Sequence, residues 1–184
     1  MQNLIKILSI IFLFLVMAKP ANGQNIAADS AKVLSTESGN FSTLRIIKKK
    51  MAIRKILNDY NSPFLDSTET FVSTCMNYDL DCYLLPSIAG LESTFGNFVH
   101  PNSNNPFGWG GGYIIFASWD EAIKTVGRNL KKNYINKGAD TIEKIAPIYA
   151  ESNTWASRVS YFRNQFELEE DKINSVLSQN QVNL

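Results

Sequence analysis

The stretch Asp81-Cys82-Tyr83-Leu84-Leu85-Pro86-Ser87-Ile88-Ala89-Gly90-Leu91-Glu92-Ser93-Thr94-Phe95-Gly96 decides how the chain folds. Leu84, Leu85, Ile88, Ala89, Leu91 and Phe95 recur at helical spacing and wrap round more than one face, which predicts a buried helix over about Asp81–Phe95. Pro86 falls a turn inside its start, where it should bend or tighten the first turn. Gly96 offers a left-handed stop. From Leu85 to Gly96, Glu92 is the one acid among apolar and small residues. Close to the negative end of a helix dipole, and with apolar neighbours, a carboxylate is disfavoured in its ionised form. A protonated carboxylic acid is the group that protonates a leaving sugar oxygen in glycoside cleavage. Position alone leaves that role open against an exposed or salt-bridged structural acid.

Downstream, Asn102-Ser103-Asn104-Asn105-Pro106-Phe107-Gly108-Trp109-Gly110-Gly111-Gly112-Tyr113 runs from polar amides into a glycine-rich loop with large aromatics. Glycines let a backbone lie close to a ligand, and flat rings stack on the apolar faces of sugars. The loop reads as the wall of a saccharide cleft, with Asn105, Trp109 and Tyr113 as candidate contacts; the other reading is a turn-rich loop whose aromatics fill the core. It is not a phosphate loop, because no Gly-Lys-Ser/Thr follows it.

Three further segments open with a capping-box pattern: Asp66-Ser67-Thr68-Glu69, Ser118-Trp119-Asp120-Glu121 and Asp140-Thr141-Ile142-Glu143. An earlier helix over about Leu44–Tyr60 places Leu44, Ile47, Met51, Ile53, Ile56 and Leu57 inside. It leaves Lys48, Lys49, Lys50, Arg54 and Lys55 largely on a solvated face. A last helix over about Thr154–Asp171 carries Trp155, Val159, Phe162 and Phe166 at core spacing. Tyr113–Ala117 is the only strand candidate, so the expected fold is mainly α with a small β-hairpin near residues 110–117.

The N-terminus places Lys6 before the apolar run Ile7–Ala18 and then Lys19-Pro20-Ala21-Asn22-Gly23, the pattern of a secretory signal peptide cleaved after Gly23. Twelve helical residues rise about 18 Å, short of the ~30 Å of a hydrocarbon core, so an uncleaved N-terminus is the one route to a membrane. The expected division is residues 1–23 signal peptide, 24–43 linker, 44–172 folded domain and 173–184 C-terminal tail. An exported, extracytoplasmic chain predicts that Cys75 and Cys82 pair in a disulfide, against the alternative of two buried thiols. Charge is balanced, with 18 Lys and Arg against 17 Asp and Glu, which excludes a binder of nucleic acid by phosphate neutralisation. Two cysteines and one histidine leave no closed zinc site, and neither metal nor cofactor is expected. Chemistry falls to carboxylates; His100, before Pro101, reads as a loop histidine.

The blocks Leu85–Gly96, Asn105-Pro106-Phe107-Gly108-Trp109-Gly110, Phe116–Ile123, Ile148-Tyr149-Ala150 and Trp155-Ala156-Ser157-Arg158-Val159 resemble, in that order, the lysozyme-like cell-wall hydrolases. Among these the chain is most similar to glucosaminidase-type domains related to mannosyl-glycoprotein endo-β-N-acetylglucosaminidases. The resemblance covers about Asn61–Phe166. It implies a lysozyme-like helical fold, Glu92 as catalytic acid, Ser93 helping to fix that carboxylate, and Tyr149 facing it across the cleft. It implies peptidoglycan or a related N-acetylated glycan as partner, a monomer, and cleavage of β-1,4 bonds. Two alternatives stay open: a lytic transglycosylase, in which a muramic 6-hydroxyl closes on its own anomeric carbon, and a catalytically silent glycan-binding envelope domain. The family's second carboxylate has no clear counterpart, Glu151 being only a candidate.

Overall fold

In the computed structural model, residues 23–182 are described. The expected signal peptide lies, but for Gly23, outside the described residues. Six α-helices follow one another: α1 Gly23–Asp59, α2 Thr68–Tyr78, α3 Leu84–Ser93, α4 Trp119–Asn133, α5 Ile142–Tyr149 and α6 Trp155–Val182. Single 3-10 turns sit at Leu65–Ser67 and Ile135–Lys137. The fold is mainly α, as the sequence predicts. The chain divides between Ser42 and Thr43 into two units, and the second, from Thr43 onward, holds the hydrophobic core.

The centre of that core is α3. Leu84, Leu85, Pro86, Ser87, Ile88, Ala89, Gly90 and Ser93 are all buried, so the helix is covered on nearly every side. It packs chiefly on α6, while α2 packs on α4. Gly90 permits the first approach: a Cβ there would lie 2.7 Å from Phe95 Cζ and 2.9 Å from Phe162 Cδ1. Phe95 meets Phe162 edge-on at 5.4 Å between centroids, and Tyr83 stacks on Phe166 at 5.3 Å. The Tyr83 hydroxyl donates to Glu170 Oε2 at 2.6 Å, and Lys49 reaches the same oxygen at 3.1 Å while lying over the Tyr83 ring. Burial, with Glu170 as second cause, pushes the Tyr83 phenol far up, so it stays a donor at neutral pH. Helices α1, α3 and α6 are thereby tied together.

Backbone angles decide which caps form. Ser118 and Thr141 are extended, and each accepts from the amide three residues on, at 3.1 and 3.3 Å. Glu121 reaches back past the N-cap residue and accepts from the Ala117 amide at 2.7 Å. At α5 the cap is Thr141 rather than Asp140, which pairs with Lys144 instead. Nor does the box at Asp66–Glu69 form: Ser67, at φ −81° and ψ 7°, ends a 3-10 turn, and its hydroxyl makes no cap bond. Pro86 introduces no break, because it stands in the first turn, whose amides have no intrahelical acceptor.

The expected hairpin is corrected. No strand occurs among the described residues, so the β-hairpin at 110–117 is absent. Gly108, Gly110, Gly111 and Gly112 all have positive φ, and the Gly112 amide turns back to Gly108 O at 3.0 Å, which coils the chain instead of extending it. The 24–43 segment is helical backbone, continuous with α1; no proline lies between Pro20 and Pro63 to stop it. Residues 173–182 of the expected tail continue α6, and no glycine or proline follows Thr154 to stop the helix.

Cys75, at the end of α2, and Cys82, before α3, form a disulfide with Cα atoms 4.9 Å apart. Such a bond persists in oxidising, extracytoplasmic surroundings. It closes the turn in which Asp79 adopts φ 48° and the Leu80 amide reaches Cys75 O at 2.9 Å. Replacing both cysteines by alanine should lower unfolding free energy by about 2 kcal/mol, read from urea denaturation; an unchanged midpoint would show that the loop is held by its backbone bonds alone.

Candidate functional site

The candidate site begins where α3 stops. Thr94 at φ 49°, Phe95 at 55° and Gly96 at 85° are three successive left-handed residues, two of them not glycine. That conformation costs roughly 1–2 kcal/mol for each side-chain-bearing residue. It is held by the Thr94 amide on Gly90 O at 3.1 Å, the Phe95 amide on Ala89 O at 3.0 Å, and the complete burial of the Phe95 ring. Gly96 is needed at its place, where a Cβ would strike the Phe64 ring.

Ser93 binds the stop to the loop beyond. Its hydroxyl donates towards Ala89 O and Pro106 O, both at 2.9 Å, and accepts from the Gly96 amide at 2.8 Å. None of these bonds goes to Glu92, so Ser93 does not fix the carboxylate by contact. It fixes the two segments on either side of it.

The glycine loop is organised by Asn105, which is buried. Its amide nitrogen donates to Trp109 O at 2.8 Å and Ile114 O at 3.1 Å, and its oxygen accepts from the Trp109 amide at 3.0 Å. With both donor hydrogens engaged, Asn105 shapes the cleft wall more than it offers polar contacts to a ligand.

Glu92 stands between this loop and the start of α6. The residue is exposed, not enclosed by apolar neighbours as its sequence context implies. Trp155 Nε1 donates to Oε1 at 2.7 Å. Oε2 faces Gly108, where an added Cβ would come within 3.1 Å of it. Behind the carboxylate lies an aromatic cluster: Tyr149 stacks on Trp155 at 4.8 Å, and Trp109 lies 5.7 Å from Tyr149. Tyr134 completes it at 6.2 Å from Tyr149. The Tyr149 hydroxyl donates to Phe107 O at 2.7 Å, tying α5 to the loop. Burial first, then the charge of Glu92, holds the Tyr149 phenol well above its ordinary range, so it keeps its proton.

In front of Glu92 opens a cleft of about 260 Å³, lined by Glu92, Phe98, His100, Asn105, Gly108 and Tyr113 among others. Glu92 is its only carboxylate. A larger hollow of about 310 Å³ lies among Leu84, Ile142 and Arg163, but its guanidinium is committed to Asp81 and Glu167. Among the described residues no three of His, Cys, Asp and Glu converge as metal ligands would.

The structure therefore brings Glu92, Asn105 and Tyr113 to one cleft and places Trp109 and Tyr149 in the cluster behind it. Trp155, Phe98 and His100 stand at the site without being expected there. Trp155 reads as core by its spacing and is buried, yet a buried indole N–H needs an acceptor, and here that acceptor is Glu92. Phe98 and His100 belong to no periodic pattern that a sequence reveals. No known protein family and no curated protein matches the chain in sequence.

Ser93→Ala should cost about 1–3 kcal/mol, because it strands the Gly96 amide and the Pro106 carbonyl in a buried place. Chemical denaturation measures this, and a loss below 0.5 kcal/mol, on the order of a surface change, would mean that the loop is anchored without Ser93.

Proposed function

We propose that the protein is an extracytoplasmic glycoside hydrolase that cleaves β-1,4 bonds in an N-acetylated cell-wall glycan such as peptidoglycan, with Glu92 as general acid. The observation that carries this reading is one carboxyl group, oriented by an indole N–H, at the floor of a glycine- and aromatic-lined cleft. The ordered blocks that resemble lysozyme-like glucosaminidases support it, as does a disulfide suited to life outside the cytoplasm. Export through residues 1–23 and action as a monomer belong to the same proposal.

In the first step Glu92 gives its proton to the leaving glycosidic oxygen as the bond from that oxygen to the anomeric carbon breaks. The substrate's own 2-acetamido carbonyl oxygen closes on the anomeric carbon. In the second step water adds to that carbon, the acetamido bond opens, and the water proton returns to Glu92. This sequence uses one carboxyl group. A second reading, the lytic transglycosylase, is favoured by the same observation, because intramolecular attack by a 6-hydroxyl also needs a single acid.

The deciding experiment incubates the protein with purified peptidoglycan beside Glu92→Gln and identifies released, borohydride-reduced products by mass spectrometry. Reducible N-acetylglucosamine ends are expected, formed about a hundredfold to ten-thousandfold more slowly by the variant. Anhydromuramic ends would assign the transglycosylase. No release by either protein, with wall binding retained, would assign the silent domain.

Trp155→Phe keeps a ring against Tyr149 but removes the donor to Oε1. A hydrogen bond to a charged group is worth about 1.5–3 kcal/mol, so kcat should fall about tenfold to a hundredfold. Steady-state kinetics on solubilised glycan would show it, and an unaltered kcat would make the indole bond irrelevant to turnover.

A further inference from the structure

Phe98 and Tyr113 are 76% and 81% exposed, yet both line the cleft in front of Glu92. Leaving two large rings in water forgoes the stabilisation that burial gives an aromatic side chain. Both stand on anchored backbone. The Phe98 amide donates to Ser93 O at 2.9 Å, so Phe98 is set relative to the helix end that carries Glu92. Tyr113 lies just before Ile114, whose carbonyl is clamped by Asn105 at 3.1 Å. His100 stands beside Tyr113, with ring centroids 6.5 Å apart and planes tilted by 55°. Its Nδ1 lies 3.2 Å from Pro101 O. A carbonyl only accepts, so in the neutral ring that contact puts the proton on Nδ1 and leaves Nε2 as an acceptor for a ligand hydroxyl or amide N–H.

The chemistry of the remaining lining narrows the ligand. No lysine or arginine lines this cleft, so a phosphate or a free carboxylate finds no cationic partner there. Glu92 is the only charge of either sign apart from what His100 carries. Two ring faces, one imidazole acceptor and a glycine-lined floor suit a neutral ring with one apolar face and polar edges, which is an N-acetylhexosamine without a charged substituent. We infer that Phe98, His100 and Tyr113 form a stacking wall that holds one uncharged N-acetylhexosamine of the glycan next to the bond at Glu92. This deepens the glycosidase reading and rests on it. The wall supplies affinity through stacking and a hydrogen bond, whereas Glu92 supplies the proton.

The test is isothermal titration of chitotetraose into the full-length protein carrying Glu92→Gln, which binds without turnover. Phe98→Ala and Tyr113→Ala are added singly to that background. Tyr161→Ala serves as control, because Tyr161 is a comparably exposed aromatic on α6 that does not line the cleft. Unchanged denaturation midpoints establish that each variant is folded. The expected result is at least tenfold weaker binding for each cleft variant and unchanged binding for the control. Binding of chitotetraose by the Glu92→Gln protein, with both cleft variants within twofold of it, would overturn the wall and leave the glycosidase reading standing. Absence of chitotetraose binding, together with no product release from peptidoglycan by the unmodified protein, would overturn both.

Discussion

One hydroxyl group holds the candidate site together. Ser93 Oγ has a single proton, which it shares between Ala89 O in its own helix and Pro106 O in the glycine loop, while its oxygen takes the Gly96 amide. Three segments that sequence separates therefore meet at one atom: the last turn of α3, the left-handed reversal after it, and the loop that forms the cleft. The reversal is unfavourable by itself, since Thr94 and Phe95 both occupy a region that L-residues avoid. What compensates is the burial of Phe95 against Tyr60, Phe162 and Phe166, together with the amide bonds back into α3. Glu92 precedes Ser93 immediately, so its direction is fixed by the same anchor even though Ser93 never touches its carboxylate.

A second set of contacts reaches the carboxylate from behind. Trp155 opens α6, Tyr149 closes α5, Tyr134 caps α4 and Trp109 belongs to the loop, so the aromatic cluster draws on four separate elements. Each ring pair contributes on the order of 1 kcal/mol beyond its buried area. The bond from Tyr149 to Phe107 O adds direction, because a phenol that keeps its proton always donates to that carbonyl. The loop is thus pinned at Pro106 by α3 and at Phe107 by α5, on the two residues that precede Gly108. This double attachment keeps the glycine backbone close to Oε2 despite the conformational freedom of four glycines.

Periodicity made the helices legible, and α3 most of all, because a helix apolar on several faces has one stable place, the centre. The cap was legible at Ser118, where the entering chain is extended, whereas at α5 the neighbouring Thr141 takes the place read for Asp140. The pattern at Asp66 has the same letters but follows a 3-10 turn, and no local rule distinguishes those entries before the packing of Phe64 is known. Glu92 was conspicuous as the one acid in an apolar segment, and the structure sets it in a cleft. The supporting roles around it were not legible. Ser93, which the resemblance assigns to the carboxylate, and Asn105, which reads as a substrate contact, are both engaged on backbone groups instead. Trp155 shows the converse: helical spacing correctly places it in the core, but spacing carries no information about which acceptor its N–H finds. The hairpin failed for a related reason, since consecutive positive φ angles at Gly110, Gly111 and Gly112 coil the chain before any ladder can begin.

The two carboxylate oxygens of Glu92 are chemically distinct because of what faces each. An indole N–H can only donate, so Oε1, 2.7 Å from Trp155 Nε1, must act as acceptor whatever the protonation state. A proton carried by Glu92 is favoured on Oε2, because the carbonyl-type oxygen is the stronger acceptor for the indole N–H. That oxygen faces Gly108, where the missing side chain leaves room for an incoming oxygen atom, and a Cβ would close that room from 3.1 Å away. The indole thus directs the proton to the cleft side, and the glycine keeps that side open. Those two neighbours separate Glu92 from a glutamate that is merely exposed at the end of a helix, because each of its oxygens meets a different surface.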